Sequence, residues 1–280
     1  MSYVGEAGTE RRTLAQVGPA LVLSSVLGST LGIVIAQFLD DLGDGLLAEI
    51  LGADAVLYNN RVEITGDVSD IVWAGGFVLC LLIGFLSLFA YPTQKGYGIP
   101  RLTLLWMTLH VLRQGLMQAV QLPLDEGSQL ALAYEALDAP PGLDVVIAAG
   151  GGVGLLLIAL SAAAAFLAFA PHRSFVKDGR RRFTFALWIA VIPAVASAFA
   201  SILAFLPDAE KNVIPALPLV PVMFLATLLA APGTSSTMAP QDERVTPWPW
   251  GLAVTVLVVV GFYFAVLSGG AHVDPRQWGS

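Results

Sequence analysis

Long apolar runs separated by short polar segments dominate the pattern of this chain. Seven such runs lie at about 17–39, 71–91, 102–124, 145–170, 183–206, 213–230 and 248–268. A helix rises about 1.5 Å per residue, so about 20 apolar residues cross the hydrocarbon core of a bilayer. The pattern predicts an all-α, polytopic transmembrane helix bundle. A single transmembrane domain, 17–268, would lie between an N-terminal segment, 1–16, and a C-terminal tail, 269–280.

The sixth run decides between six and seven spans. It carries Pro215, Pro218 and Pro221. Proline removes a helical hydrogen bond and clashes with the preceding turn, so this run is predicted to be kinked or broken. If it crosses the membrane, the chain has seven spans, and if it re-enters on the same side, the chain has six.

Composition supports a membrane location. Hydrophobic residues make up 56% of the chain and charged residues only 12%, whereas soluble domains average about 25% charged residues. The lipid bilayer is therefore a predicted partner, and other membrane protein subunits are candidate partners. The net charge of −7 does not suggest nucleic acid. Cys80 is the only cysteine, which excludes an internal disulfide and a multi-cysteine zinc site.

Basic residues concentrate in the connections on one side of the predicted bundle. The richer side holds Arg11, Arg12, Lys95, Arg101, Arg173, Lys177, Arg180, Arg181, Arg182 and Arg244. The other side holds only Arg61, Lys211 and Arg276. Because cytoplasmic loops carry an excess of Lys and Arg, the sequence predicts a cytoplasmic N-terminus, in the cell (plasma) membrane.

The loop after the first run contains a short hairpin pattern. Residues 55–58 and 61–65 are strand-like, and Asn59-Asn60 stands between them. Asparagine tolerates the positive φ that a tight hairpin turn needs. The sequence therefore predicts a two-stranded hairpin here.

Three carboxylates follow the first apolar run. Asp40 and Asp44 are four residues apart, so a continuing helix places both on one face. Asp41 lies about 100° round the helix from Asp40. This is the geometry of the H-E-x-x-H metal motif with aspartate at every ionisable position.

The stretch resembles the first-helix motif of the site-2-protease family of intramembrane metalloproteases. Asp40 and Asp44 fall on the two zinc-binding histidines of that motif, Asp41 on its glutamate, and Gly43 on its glycine. The resemblance implies a bundle with a site-2-protease-like core, and a first helix that continues past the aspartates towards Leu51.

Two later segments extend the resemblance, which is clearest over about residues 28–130. The Ala-Gly-Gly at 74–76 is similar to a small-residue stretch of the family. Asp125 and Glu126, after the third run, fall where the family places its third, acidic ligand.

The resemblance implies a metal site formed by Asp40, Asp44 and either Asp125 or Glu126, with Asp41 as the base that activates water. Carboxylates without imidazole prefer a hard cation such as Mg²⁺, Mn²⁺ or Ca²⁺ over zinc. The cofactor is a divalent cation only if this site is functional, and otherwise it is unknown. The alternative is a solvated motif at the membrane surface, or the relic of a lost site.

The third run is unusually polar. It contains His110, Arg113, Gln114, Gln118 and Gln121. A charged side chain inside a bilayer costs about 2.5–3.5 kcal/mol or more, so these groups should face protein or water. Three interpretations are open: Arg113 compensates the charge of Asp40 and Asp44, His110 acts as a substitute metal ligand, or the run is a polar face packed on another helix or subunit.

The sequence favours a non-proteolytic, site-2-protease-like scaffold or accessory subunit of a membrane assembly. A metal-dependent intramembrane peptidase with a carboxylate site is the first alternative, so enzymatic activity is an open question. A transporter or channel is the second, suggested by the interrupted sixth run and the polar third run.

Overall fold

The computed structural model describes residues 18–59, 61–93, 96–205, 219–234 and 245–274, and within these ranges the chain is mostly helical. The helices are α1 Pro19–Ile50, α2 Gly75–Ala90, α3 Ile99–Gln121, α4 Gln129–Ala136, α5 Leu143–Leu167, α6 Gly179–Ala186, α7 Ile192–Ile202, α8 Leu219–Ala230 and α9 Trp250–Ala265. A 3-10 turn, Asp70–Ala74, leads into α2, and a π-helical turn, Leu187–Val191, joins α6 to α7.

Five helical stretches are long and apolar enough to cross a membrane, as expected for an integral membrane protein. They are Pro19–Ile50, Asp70–Thr93, Leu143–Leu167, Gly179–Ile202 and Trp250–Gly269. Helix α3 is long enough to cross, but the polar side chains in its second half lower its hydropathy. In the sixth predicted run only 219–230 is described, so Pro215 and Pro218 lie outside the described residues.

The first helix continues through all three aspartates, as the family resemblance implied. It ends at Ile50, and Gly52 follows with a φ of 93°. Glycine adopts this left-handed conformation without a Cβ penalty, which is why it commonly terminates helices. The Ala53 N–H then bonds to the Ala48 carbonyl at 3.0 Å. The aspartates are therefore held in regular helix rather than in a loop.

Contacts along α1 fix the direction of its neighbours. Near the start of α1, Ser25 accepts a hydrogen bond from the Trp106 indole of α3 at 2.7 Å, and near its end Asp40 meets Gln114. Helix α3 therefore runs parallel to α1. Helix α2 runs the opposite way, because its first residues, Gly75 and Gly76, lie against Gly43 and Asp44.

The helix Gly179–Ile202 also runs parallel to α1. The Ser25 hydroxyl donates to the Ile189 carbonyl at 2.6 Å, and Ser29 meets Ser197 at 2.6 Å. The turn after α7 reaches the hairpin, where Asn59 lies 3.5 Å from the Ala204 carbonyl.

A small antiparallel sheet covers the C-terminal part of α1. Strands β1 Asp54–Leu57 and β2 Val62–Thr65 form the predicted hairpin, although Asn60 itself lies outside the described residues. A third strand, β3 Ala271–His272, pairs with the other edge of β1. This strand lies within the segment 269–280 that the sequence assigned to the C-terminal tail. The end of the bundle that carries β1–β3 is called the sheet end.

Candidate functional site

The three aspartates of α1 lie inside the protein. The exposed fractions are 4% for Asp40, 6% for Asp41 and 1% for Asp44. These values exclude a motif that is solvated at the membrane surface. A buried carboxylate needs hydrogen-bond partners or a compensating charge, so the surroundings of each aspartate indicate its role.

Asp40 is held by two amide side chains of α3. Gln114 donates from Nε2 to Oδ2 of Asp40 at 2.9 Å, and Gln118 donates from Nε2 to Oδ1 at 2.5 Å. The two glutamines are four residues apart, so they lie on one face of α3 and reach the same carboxylate. Both oxygens of Asp40 are therefore engaged by protein donors.

Asp44 and Asp41 point to different partners. Asp44 accepts a hydrogen bond at Oδ1 from the backbone N–H of Gly76, at 2.7 Å. Among the described residues its second oxygen, Oδ2, has no hydrogen-bond partner. Asp41 accepts at Oδ1 from Nε2 of Gln37, one turn earlier on α1, at 3.2 Å. The three carboxylates thus connect to α3, to α2 and to α1 itself.

Glycines bring α1 and α2 into backbone contact beside these carboxylates. A methyl group on Gly43 would overlap the carbonyl oxygen of Gly75, and one on Gly75 would overlap the carbonyl oxygen of Gly43. A side chain at Gly76 would overlap the carboxylate of Asp40. Small residues allow this close packing of membrane helices. The glycine of the acidic motif therefore meets the small-residue stretch at 74–76.

Arg113 is buried, with 5% of its surface exposed, but it does not bond directly to an aspartate. Its Nη2 donates to Oε1 of Gln114 at 3.2 Å, and Gln114 in turn donates to Asp40. In the described part of the chain no carboxylate lies within the 4.0 Å of an ion pair with Arg113. Arg113 and Asp40 are therefore linked through Gln114 rather than by direct contact, and compensation of the Asp40 charge by Arg113 stays a prediction.

His110 belongs to the bundle core. Its Nε2 lies 2.9 Å from the Ser29 hydroxyl, which also contacts Ser197 on α7. Its ring stacks on Trp106, with centroids 5.5 Å apart. These contacts link α1, α3 and α7. For His110 they favour the third interpretation of the run, a polar face packed on another helix.

Asp125 and Glu126 are exposed, in the turn that follows α3. Asp125 accepts a hydrogen bond from the N–H of Gly127 at 3.1 Å. Within the described ranges, no three His, Cys, Asp or Glu side chains are grouped so that they could hold a metal ion. The structure brings Asp40, Asp41 and Asp44 together on α1, but it does not gather the full ligand set that the resemblance implied.

The glutamines around the carboxylates were the part of the site that the motif did not identify. Gln37, Gln114 and Gln118 supply the side-chain donors to Asp40 and Asp41. The sequence does show Gln114 and Gln118 at helical spacing beside Arg113. It does not give the register of α3 against α1, so it does not show that these glutamines face Asp40.

The chemical capacity of the cluster is set by its charge and by buried acceptors that have no hydrogen-bond partner. Three buried carboxylates lie near one buried arginine, so protons or a cation must compensate the excess negative charge. Oδ2 of Asp44 and Oε1 of Gln118 are buried acceptors without a hydrogen-bond partner among the described residues.

Comparison with protein-family models, with curated proteins and with solved structures finds no match to this chain.

Proposed function

We propose that this chain is a non-proteolytic integral membrane protein that serves as a scaffold or accessory subunit of a membrane assembly. In this proposal the acidic motif connects α1 to α2 and α3 instead of holding a catalytic metal. The observation that carries the proposal is the double hydrogen bond from Gln114 and Gln118 to the two oxygens of Asp40.

The requirements of metallopeptidase chemistry support a non-catalytic role. A catalytic metal needs about three protein ligands and an open position where water is activated. Each oxygen of Asp40 already accepts a hydrogen bond from a glutamine amide, and Asp125 and Glu126 do not complete a ligand group in the described structure. The backbone contact between Gly43 and Gly75 also fills the space beside the motif.

Descent from a site-2-protease-like ancestor is part of the same proposal. Two segments carry the resemblance within the described structure, the acidic motif with Gly43 and the Ala-Gly-Gly at 74–76. Their close packing supports a retained helix arrangement in which the metal ligands were replaced.

The proposal also includes seven membrane crossings and a cytoplasmic N-terminus, for a protein of the plasma membrane. Strands β1 and β3 share one sheet, so an even number of crossings should separate them. The turn after α7 lies at the sheet end, whereas Pro232, after α8, accepts a hydrogen bond from Arg182 near the start of α6. These contacts at opposite ends support a sixth run that crosses, and the basic residues support the orientation.

A carboxylate-dependent peptidase is the second candidate, and one observation favours it. Oδ2 of Asp44 and Oε1 of Gln118 are buried oxygens without hydrogen-bond partners in the described structure. A hard cation prefers oxygen ligands of this kind. In that case Asp41 would activate water. The transporter or channel alternative stays a prediction from the sequence, because much of the interrupted sixth run lies outside the described residues.

Cation titration separates the two candidates. We expect Mn²⁺ or Ca²⁺, up to about millimolar concentration, to leave the melting temperature of the purified protein unchanged, because the scaffold has no cation site. A cation present at about 100 times its Kd would stabilise a folded site by about 2.7 kcal/mol. The Asp44→Asn variant is the matched control, since it removes the carboxylate whose second oxygen is unpartnered. A rise in melting temperature that is absent from Asp44→Asn would favour the peptidase.

A further inference from the structure

A basic surface lies at the end of the bundle opposite the sheet, between α5 and α6. The segment 171–182, called the basic loop, contains five of the chain's 14 Lys and Arg residues and also His172. Four of the five are exposed: Arg173, Lys177, Arg180 and Arg181. The basic loop meets the end of α8, where Arg182 donates a hydrogen bond to the Pro232 carbonyl.

Arg182 is the one Lys or Arg of the five that is not exposed. The four exposed cations all lie within 173–181, and the loop holds a single acidic residue, Asp178.

Hydrogen bonds fix the backbone of the basic loop to the bundle. Asp178 caps α6 by accepting at Oδ1 from the Arg181 N–H at 2.9 Å. Arg182 donates to the Val176 carbonyl at 3.0 Å and to the Pro232 carbonyl at 3.1 Å. Because the loop is held in this way, its exposed side chains project from a defined platform, which lowers the entropy lost when a ligand binds.

Three of the exposed cations are available to a ligand. Within the ranges that the structure describes, Arg173, Lys177 and Arg180 make no side-chain hydrogen bond or ion pair. The carboxylate of Asp178 is already engaged, because its Oδ2 lies 3.4 Å from Nε of Arg181. The loop therefore carries positive charge that its own acidic residue does not neutralise.

Exposed aromatic side chains support a position of this surface at the membrane interface. Phe183 is exposed one turn after Arg180 on α6. At the start of α9, Trp248 and Trp250 are exposed and stacked, with centroids 6.3 Å apart. Exposed aromatic residues are typical of the membrane interface, so the cations next to Phe183 would lie level with phosphate groups.

We propose that the basic loop binds the phosphate head groups of anionic phospholipids through Arg173, Lys177 and Arg180. Arginine presents a planar set of donors that matches phosphate, and lysine adds a point charge. Clusters of basic residues beside membrane helices attract anionic lipid in this way. The inference goes beyond the proposed scaffold function and does not depend on the acidic motif.

Native mass spectrometry of the purified full chain tests this proposal with phosphatidylglycerol and phosphatidylcholine as probes. We expect the wild type to retain phosphatidylglycerol in preference to phosphatidylcholine. The triple variant Arg173→Gln/Lys177→Gln/Arg180→Gln should bind phosphatidylglycerol about tenfold more weakly, since each basic residue near the surface contributes to the attraction. Arg61→Gln, which removes an exposed arginine at the sheet end, is the matched control and should bind as the wild type does.

A second measurement keeps the proposal testable if the triple variant does not fold. Phosphatidylglycerol should raise the melting temperature of the wild type in detergent, and about 1 M salt should abolish the rise, because it screens exposed charges. Equal retention of the two lipids by the wild type, or unchanged phosphatidylglycerol binding in a folded triple variant, would overturn the proposal. So would an equal rise in melting temperature with inorganic phosphate, which would indicate a free-anion site.

Discussion

Replacing Gly43 with alanine is expected to destabilise the protein by about 3 kcal/mol or more. The new methyl group would overlap the carbonyl group of Gly75 and the Cα of Gly76. Backbone atoms cannot move aside as a flexible side chain can, so α1 and α2 would have to separate. Overpacking of this kind costs about 1–3 kcal/mol and occasionally more. Separation would also pull Asp44 away from the Gly76 N–H. Thermal unfolding in detergent measures the loss.

Gly152→Ala on α5 is the matched control for this substitution. A methyl group on Gly152 would meet no atom within 4 Å, and alanine favours a helix by about 1 kcal/mol over glycine. We therefore expect Gly152→Ala to leave stability unchanged or slightly raised. Similar losses in the two variants would mean that glycine is needed for a reason other than the crossing of α1 and α2.

Replacing Asp40 with alanine is expected to cost about 3–5 kcal/mol. The amides of Gln114 and Gln118 would lose their acceptor, and the buried charge of Arg113 would lose the nearby carboxylate that it reaches through Gln114. Losing one partner of a buried charged network carries a cost of about this size. Asp125→Ala, which removes an exposed carboxylate, should change stability by no more than about 0.5 kcal/mol.

A double-mutant cycle shows whether the Asp40 cost arises at the contact with α3. Asp40→Ala and Gln118→Ala should be coupled by about 0.5–3 kcal/mol, because each substitution removes the same hydrogen bond. The cycle is measured from the unfolding of wild type, both single variants and the double variant. Additive losses would contradict a direct connection between the acidic motif and α3.

Most helices and the hairpin could be predicted from the sequence, because their signals are local. Apolar runs of spanning length predicted α2, α5 and α9 to within a few residues, whereas the first run ended at 39 and α1 continues to Ile50. Asn59, in the turn, and the strand-like residues around it predicted the pairing of β1 with β2. Strand β3 was not predicted, because two residues carry too little pattern and their partner lies far away in the chain.

The surroundings of the aspartates could not be predicted, because they depend on how two helices align. Gly32 allows α1 to approach α3 closely at His110 and the Trp106 carbonyl. That contact sets the register that brings Gln114 and Gln118 to Asp40 two turns later. The spacing of the motif predicted three adjacent carboxylates, but it gave no information on the amides that face them.

Elemental analysis of the gently purified protein tests the central claim most directly, alongside an Asp40→Ala/Asp44→Ala variant. The claim is that protein donors, rather than a metal ion, hold the acidic motif. It predicts that the wild type carries no stoichiometric metal that the double variant lacks. About one metal ion per chain in the wild type, lost in the variant, would contradict the claim and direct attention to Asp41 as the base of a carboxylate-dependent peptidase.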